Sequence, residues 1–141
     1  MTDKEKFEGM KRQAVEENEA AYGRELRKKY GDEVVEEHNA RLAGMSAQEW
    51  EEAKVDEEDY KAALRRAVET EDPAGEDARE AVRLHAAWLA HYWPEGKVTP
   101  QAHAGMAVMY TQDERFTAYY EQIAPGCAAF FEKAVKAYYR Q

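Results

Sequence analysis

Residues 84–120 read LHAAWLAHYWPEGKVTPQAHAGMAVMYTQDERFTAYY, and this stretch decides the fold. Nothing in it alternates apolar and polar residues as a half-buried strand does. Traced back a turn and a half, Ala78, Ala81, Val82, His85, Trp88, Leu89 and Tyr92 recur at helical spacing. They share one face of a helix expected over about 76–92. Pro94 and Gly96 end that helix. Thr99-Pro100 then offers an N-cap followed by a proline at the first helical position, where a missing N–H costs nothing, and opens a helix to about Tyr110. A short helix carries Phe116, Tyr119 and Tyr120. The stretch holds three of the four histidines and two of the three tryptophans, with few charges, in a chain that is otherwise strongly charged.

The same reading extends outward. Downstream, Pro125 starts a last helix with Cys127, Phe130, Phe131, Ala134, Val135 and Tyr138 in one stripe. Upstream, a helix from about Asp3 to Lys29 puts Phe7, Met10 and Ala14 on one face. Gly9 and Gly23 weaken it by about 1 kcal/mol each relative to alanine. Gly31 stops it, and Asp32 caps a second helix ending near Gly44. Ser46-Ala47-Gln48-Glu49 forms a capping box that starts a third helix bearing Trp50, Tyr60, Leu64 and Val68. The segment EDPAGED, near residues 71–77, is a turn. The expectation is an all-α chain of about six to seven helices.

Length and charge narrow the function. The 141 residues fit a single domain able to bury a core without metal or disulfide help. The single Cys127 has no partner in the chain, which suits a reducing cytoplasm. No apolar run approaches the roughly 18 residues of a membrane span. A net charge of −9 argues against direct binding of nucleic acid or an anionic membrane. The charge is uneven: residues 1–72 carry 21 acidic and 13 basic residues and only 5 aromatics, while residues 73–141 carry 8, 7 and 11. The first part reads as solvated acidic helices and the second as an aromatic-rich core.

Chemistry by metal or nucleophile is not expected. His85 and His91 lie six apart and do not share a helix face, His103 is on another helix, and no HExxH, CxxC or Glu-x-x-His pair occurs. Cys127 points with Phe130 and Phe131 into the core. Acidic runs such as Glu57-Glu58-Asp59 read as a solvated face. The expectation is a protein that is not an enzyme and needs no cofactor. The aromatic set remains: His85, Trp88 and Tyr92 on one helix, then His103, Met106 and Tyr110 on the next. Singly, such residues are packing. Together, they offer apolar area with polar tips, as pockets for large flat ligands do. A second class stays open, a protein-interaction or homodimer-forming module with the acidic helices as its surface.

HAAWLAHYW, followed by TPQAHAGMAVMYTQDERFTAYYEQIAPGCAAFF, resembles the TipAS antibiotic-recognition domain. KEKFEG, YGDEVVEEHNARL and MSAQEW match that family's usual order, so the resemblance covers nearly the whole chain. It implies a globin-like helical domain that binds thiopeptides or other bulky aromatic antibiotics. Such domains serve as the sensor of a MerR-type transcription activator, which reaches DNA only through an upstream helix-turn-helix, or as free antibiotic-binding proteins. The N-terminal part, here residues 1–72, is often mobile until ligand arrives. Carried over by motif, the ligand-facing residues are Trp88, Tyr92, Trp93, His103 and Tyr110, with His85, Met106 and Tyr119 behind them. Asp113 and Arg115 cap and brace helices. Family members that capture dehydroalanine-containing thiopeptides use a cysteine in the loop after the fourth helix. Here that loop is WPEGKVTP, so non-covalent binding is expected.

Overall fold

The computed structural model describes residues 1–140. Among them are seven α-helices and no strand: α1 (Asp3–Tyr30), α2 (Asp32–Ala43), α3 (Ala47–Thr70), α4 (Glu76–Ala90), α5 (Pro100–Gln112), α6 (Glu114–Glu121) and α7 (Cys127–Tyr139). One 3-10 turn, Pro94–Gly96, sits between α4 and α5. No helix of the described residues is long and apolar enough to cross a membrane. The chain forms two compact units. The first is Met1–Ala53 with Ala90–Lys97, and the second is Lys54–Leu89 with the chain from Val98 onward. The division therefore falls inside α3 and at both ends of the loop that joins α4 to α5, and not at residue 72, where composition changes.

In the first unit, α1 and α2 form an antiparallel pair. A capping box starts α1: the Thr2 side chain accepts from the Glu5 N–H at 3.1 Å, and the Glu5 carboxylate accepts from the Thr2 N–H at 3.4 Å. The buried side of α1 differs from the expected Phe7–Met10–Ala14 face. Met10 is exposed, and Lys11 is buried in its place. The Lys11 Nζ donates to the Met45 carbonyl at 2.8 Å, pairs with Glu8 at 2.9 Å and lies 4.5 Å from the centre of the Phe7 ring. A buried ammonium is tolerated because each of these contacts replaces water.

Gly31, at φ 89°, ends α1 and itself stands at the N-cap of α2, so Asp32 is the first helical residue and not the cap. The Asp32 carboxylate instead accepts from Arg27 at 3.0 Å. Arg27 also binds Glu19 two turns back on α1, and Glu19 accepts from Asn39 of α2 at 3.3 Å. That arrangement explains Gly23. A Cβ there would lie 1.6 Å from a Glu19 carboxylate oxygen, so the missing side chain is the channel through which Glu19 reaches Arg27.

In the second unit, α5 packs against α6 and α7, and α3 and α4 supply the remaining core. α3 starts with the Ser46 hydroxyl accepting from the Glu49 N–H at 3.1 Å. The expected helix to Tyr92 stops two residues early, at Ala90. The buried residues of α4 are Ala78, Ala81, Val82, His85 and Leu89, as the spacing requires. Thr99 caps α5 at 3.1 Å from the Ala102 N–H, and Asp113 caps α6 at 2.9 Å from the Arg115 N–H. α7 begins at Cys127, two residues beyond Pro125, after Gly126 at φ 81°. Its first N–H groups are met by a residue of α6: the Glu121 carboxylate accepts from the Gly126 and Ala128 N–H groups at 2.8 and 3.0 Å.

Gly23→Ala tests the channel. Alanine gains about 1 kcal/mol of helix propensity but displaces the half-exposed Glu19–Arg27 pair. In thermal unfolding, the single variant should stay within about 0.5 kcal/mol of the parent, whereas in a Glu19→Ala background the same change should stabilise by about 1 kcal/mol.

Candidate functional site

The eight residues singled out from sequence divide between the units. Tyr92 and Trp93 belong to the first, and His85, Trp88, His103, Met106, Tyr110 and Tyr119 to the second.

In the first unit, the loop Ala90–Lys97 carries a surface of half-buried rings. The edge of Trp93 meets Tyr30 at 5.4 Å, and Tyr92 packs against His38 at 5.6 Å. The loop is tied down by polar contacts: Arg41 donates to the His91 carbonyl at 3.3 Å, and the His91 ring meets the Glu49 carboxylate at 3.4 Å. Glu95 and Gly96 are both left-handed, at φ 57° and 68°, which turns the chain sharply after Pro94. Tyr92 also reaches the Leu42–Met45–Ala53 core. Burial holds the His38 imidazole below its ordinary range, opposed by its contact with Asn39. Burial pushes the Tyr30 hydroxyl up to about 12. Both groups are therefore neutral near pH 7, and the ring surface is apolar with hydrogen-bonding tips. Sequence reasoning had not included Tyr30, His38 or Arg41. Only the YGDEVVEEHNARL segment, used as a family marker, contained them.

In the second unit, two of the three histidines of the quoted stretch meet. His85 on α4 and His103 on α5 are both fully buried, and their Nδ1 and Nε2 atoms are 2.8 Å apart. At its other nitrogen, His85 meets the Tyr120 hydroxyl at 2.8 Å. His103 meets the Tyr139 hydroxyl at 2.6 Å. Four polar groups from α4, α5, α6 and α7 thus satisfy one another inside the core. Tyr110 stacks on Tyr120 at 4.3 Å, and Phe131 lies 4.6 Å from His85. Met106 and Tyr110 are buried, 7% and 2% exposed, and the two histidines are fully buried. Trp88 is half-buried, 5.0 Å from Tyr60 and 5.3 Å from His85.

Tyr119 is half-buried and donates to the Glu57 carboxylate at 2.6 Å. The Tyr60 hydroxyl lies 2.9 Å from that of Tyr119. The Glu57-Glu58-Asp59 run is therefore not wholly a solvated face. Glu58 and Asp59 are exposed, but Glu57 turns to Tyr119, with Lys61 3.8 Å away. Tyr60, Tyr139 and Glu57 are the members of this cluster that spacing alone had not joined to it.

Burial drives the titration behaviour. It lowers His103 to about 4. It lowers His85 well below its usual range, with His103 adding to the effect. Cys127, fully buried, has its thiol pushed up to about 12 by burial, so it is neither a thiolate nor within reach of solvent. No group of three His, Cys, Asp or Glu residues placed to hold a metal ion exists among the described residues.

The profile of the TipAS antibiotic-recognition domain matches residues 22–138. An HTH-type transcriptional regulator, SkgA, of Caulobacter vibrioides is 33% identical over 147 aligned positions, covering 99% of this chain and 54% of the regulator. The HTH-type transcriptional activator mta of Bacillus subtilis is 31% identical over 140, covering 98% and 52%. The chain thus spans about half the length of the curated relatives it matches. No solved structure matches.

Acid should expose the histidines. The folded state keeps His85, His103 and His38 neutral at pH values where the unfolded chain protonates them. Their contribution is fully present above about pH 6.5 and is lost as pH falls from there toward about 4. Each proton so excluded steepens the loss by about 1.4 kcal/mol per pH unit. Denaturant unfolding at pH 7, 6 and 5 should show this decline, and His103→Leu should flatten it while costing about 2 kcal/mol at pH 7, by orphaning the His85 Nδ1.

Proposed function

Because the chain belongs to the TipAS antibiotic-recognition domain family, matched over residues 22–138, we propose that it binds large, mostly apolar, ring-bearing antibiotics without catalysis and without a covalent bond. One observation carries this reading: a half-buried ring surface in which Trp93 and Tyr92, on a loop braced by Arg41 and Glu49, pack against Tyr30 of α1 and His38 of α2. Rings presented partly to solvent on a braced backbone keep their orientation before a ligand arrives, so less ordering entropy is lost on binding. The neutral hydroxyl and imidazole tips supply hydrogen bonds that orient the ligand. Trp88 offers a second ring at the edge of the buried histidine pair. Cys127 lies inside the core and the WPEGKVTP loop has no cysteine, so attachment to a dehydroalanine has no thiol at the ring surface.

The curated relatives are transcriptional regulators of about twice this length. We read this chain as the sensor domain of a cytoplasmic MerR-type regulator, or as a free antibiotic-sequestering protein. DNA contact would come only through a separate helix-turn-helix segment. The acidic balance of −9 fits a domain that does not itself touch phosphate.

Intrinsic tryptophan fluorescence, titrated with a panel of thiopeptides and polyaromatic antibiotics, tests the reading. Saturable binding at micromolar concentration or tighter is expected for at least one compound. Trp93→Ala and Tyr92→Ala should each weaken it about tenfold or more, read by calorimetry, since one well-packed aromatic contact carries about 1.4 kcal/mol or more. No binding at micromolar levels would remove the ligand reading, and full affinity in both variants would remove the site.

A further inference from the structure

In the first unit, a cleft of about 330 Å³ lies between α1 and the end of α2. Glu8, Lys11, Arg12, Val15, Glu16 and Ala43 line it. The five α1 residues follow one another at helical spacing, so one side of the helix supplies them. None of Tyr30, His38, Tyr92 and Trp93 lines the cleft, which is therefore distinct from the ring surface. All of its lining except Ala43 also precedes residues 22–138, the stretch that the TipAS profile matches.

The four charges of the lining fall into two pairs. Lys11, 3% exposed, is engaged by the Met45 carbonyl, by Glu8 and by the face of Phe7. Its contact with Met45 fixes this part of α1 to the turn that follows α2, so the cleft is formed before any ligand arrives. Arg12 and Glu16 are not engaged in this way. Among the described residues, neither takes part in a hydrogen bond or an ion pair. They stand four apart on α1, where opposite charges can meet, but the cation precedes the anion, which is the weaker order. The Arg12 guanidinium lies beside Gly9 instead, with Nη2 3.8 Å from the position a Cβ there would take.

The cleft thus offers a guanidinium donor fork and a carboxylate one helical turn apart, with the apolar Val15 and Ala43 in the same lining. A guanidinium pairs best with a carboxylate, through two parallel N–H bonds, and a carboxylate takes an ammonium. A ligand that satisfies both carries one group of each sign. The distance between those groups is set by the helix: residues four apart have Cβ atoms about 5–6 Å from each other. An extended dipeptide spans at most about 7 Å, whereas each further residue adds about 3.5 Å. The volume is at the lower end of small-ligand sites, which begin at about 300 Å³. We propose that this cleft binds a dipeptide with both termini free. Its C-terminal carboxylate sits on Arg12, its N-terminal ammonium on Glu16, and its small apolar side chains on Val15 and Ala43. The inference rests on the cleft and holds whether or not the ring surface binds antibiotic.

Backbone 1H–15N spectra of the whole chain, titrated with alanyl-valine, N-acetyl-alanyl-valine and alanyl-valine amide, test it. Alanyl-valine should give saturable shifts at the amides of residues 8–16 and 43–45, with a dissociation constant below about 1 mM. Blocking either terminus should weaken binding about tenfold, because one charge-assisted contact is lost. Arg12 and Glu16 are both exposed, so Arg12→Gln and Glu16→Gln should fold and melt as the parent does. Each should weaken alanyl-valine about tenfold, and Arg12→Gln should bind the free dipeptide and its amide equally. Absence of saturation up to about 10 mM would overturn the proposal, as would shifts confined to other residues. Equal affinity for the free and blocked dipeptides in the parent, or undiminished affinity in both variants, would overturn it as well.

Discussion

The hydrogen bond between His85 and His103 is the constraint on which the second unit depends. It joins α4 to α5 at a point with no solvent, and each ring spends its remaining nitrogen on a tyrosine from α6 or α7. A buried imidazole without a partner costs about 1–3 kcal/mol, so these helices tolerate little sliding or rotation without orphaning one of the four groups. Apolar packing from Phe131, Val82 and Leu64 supplies area but fixes position less tightly. The polar chain decides where the helices sit, and the apolar residues make that position favourable.

The first unit is held differently. Its core is small, and much of its order comes from charge and edges: the buried Lys11 on the Met45 carbonyl, the Glu19–Arg27–Asp32 network, and the rings around Tyr92 and Trp93. The loop Ala90–Lys97 is contributed to this unit by a chain segment whose flanking helices belong to the other. The backbone of that loop runs on at either end into α4 and α5, the two helices joined by the histidine pair.

The helices were legible because apolar spacing and end signals act locally. Thr99, Ser46 and Asp113 cap where the residue pattern put caps, and the buried face of α4 follows its periodicity. Other features depend on contacts far along the chain. Lys11 is inside because the carbonyl of Met45 happens to lie above it, which no window around residue 11 shows. Glu57 looks like one of three solvated acids until α6 brings Tyr119 to it. His85 and His103 stand on separate helices, and spacing along one helix cannot reveal that they bond to each other. The ring pair of Tyr92 and Trp93 was visible as composition, but their partners Tyr30 and His38 required the fold.

The Glu121 contact has a consequence for how the chain folds. α7 is 13 residues long and follows a glycine that offers no capping side chain. Such a helix is marginal by itself in water, because its first turn fixes several residues for little return. Its exposed N–H groups are met only when α6 already presents the Glu121 carboxylate. The start of α7 is thus a tertiary event, and α6 and α7 should gain order together as one cooperative segment. Since α7 carries Phe131 and Tyr139, the Glu121 contact ties the start of this helix to the packing at the centre of the second unit.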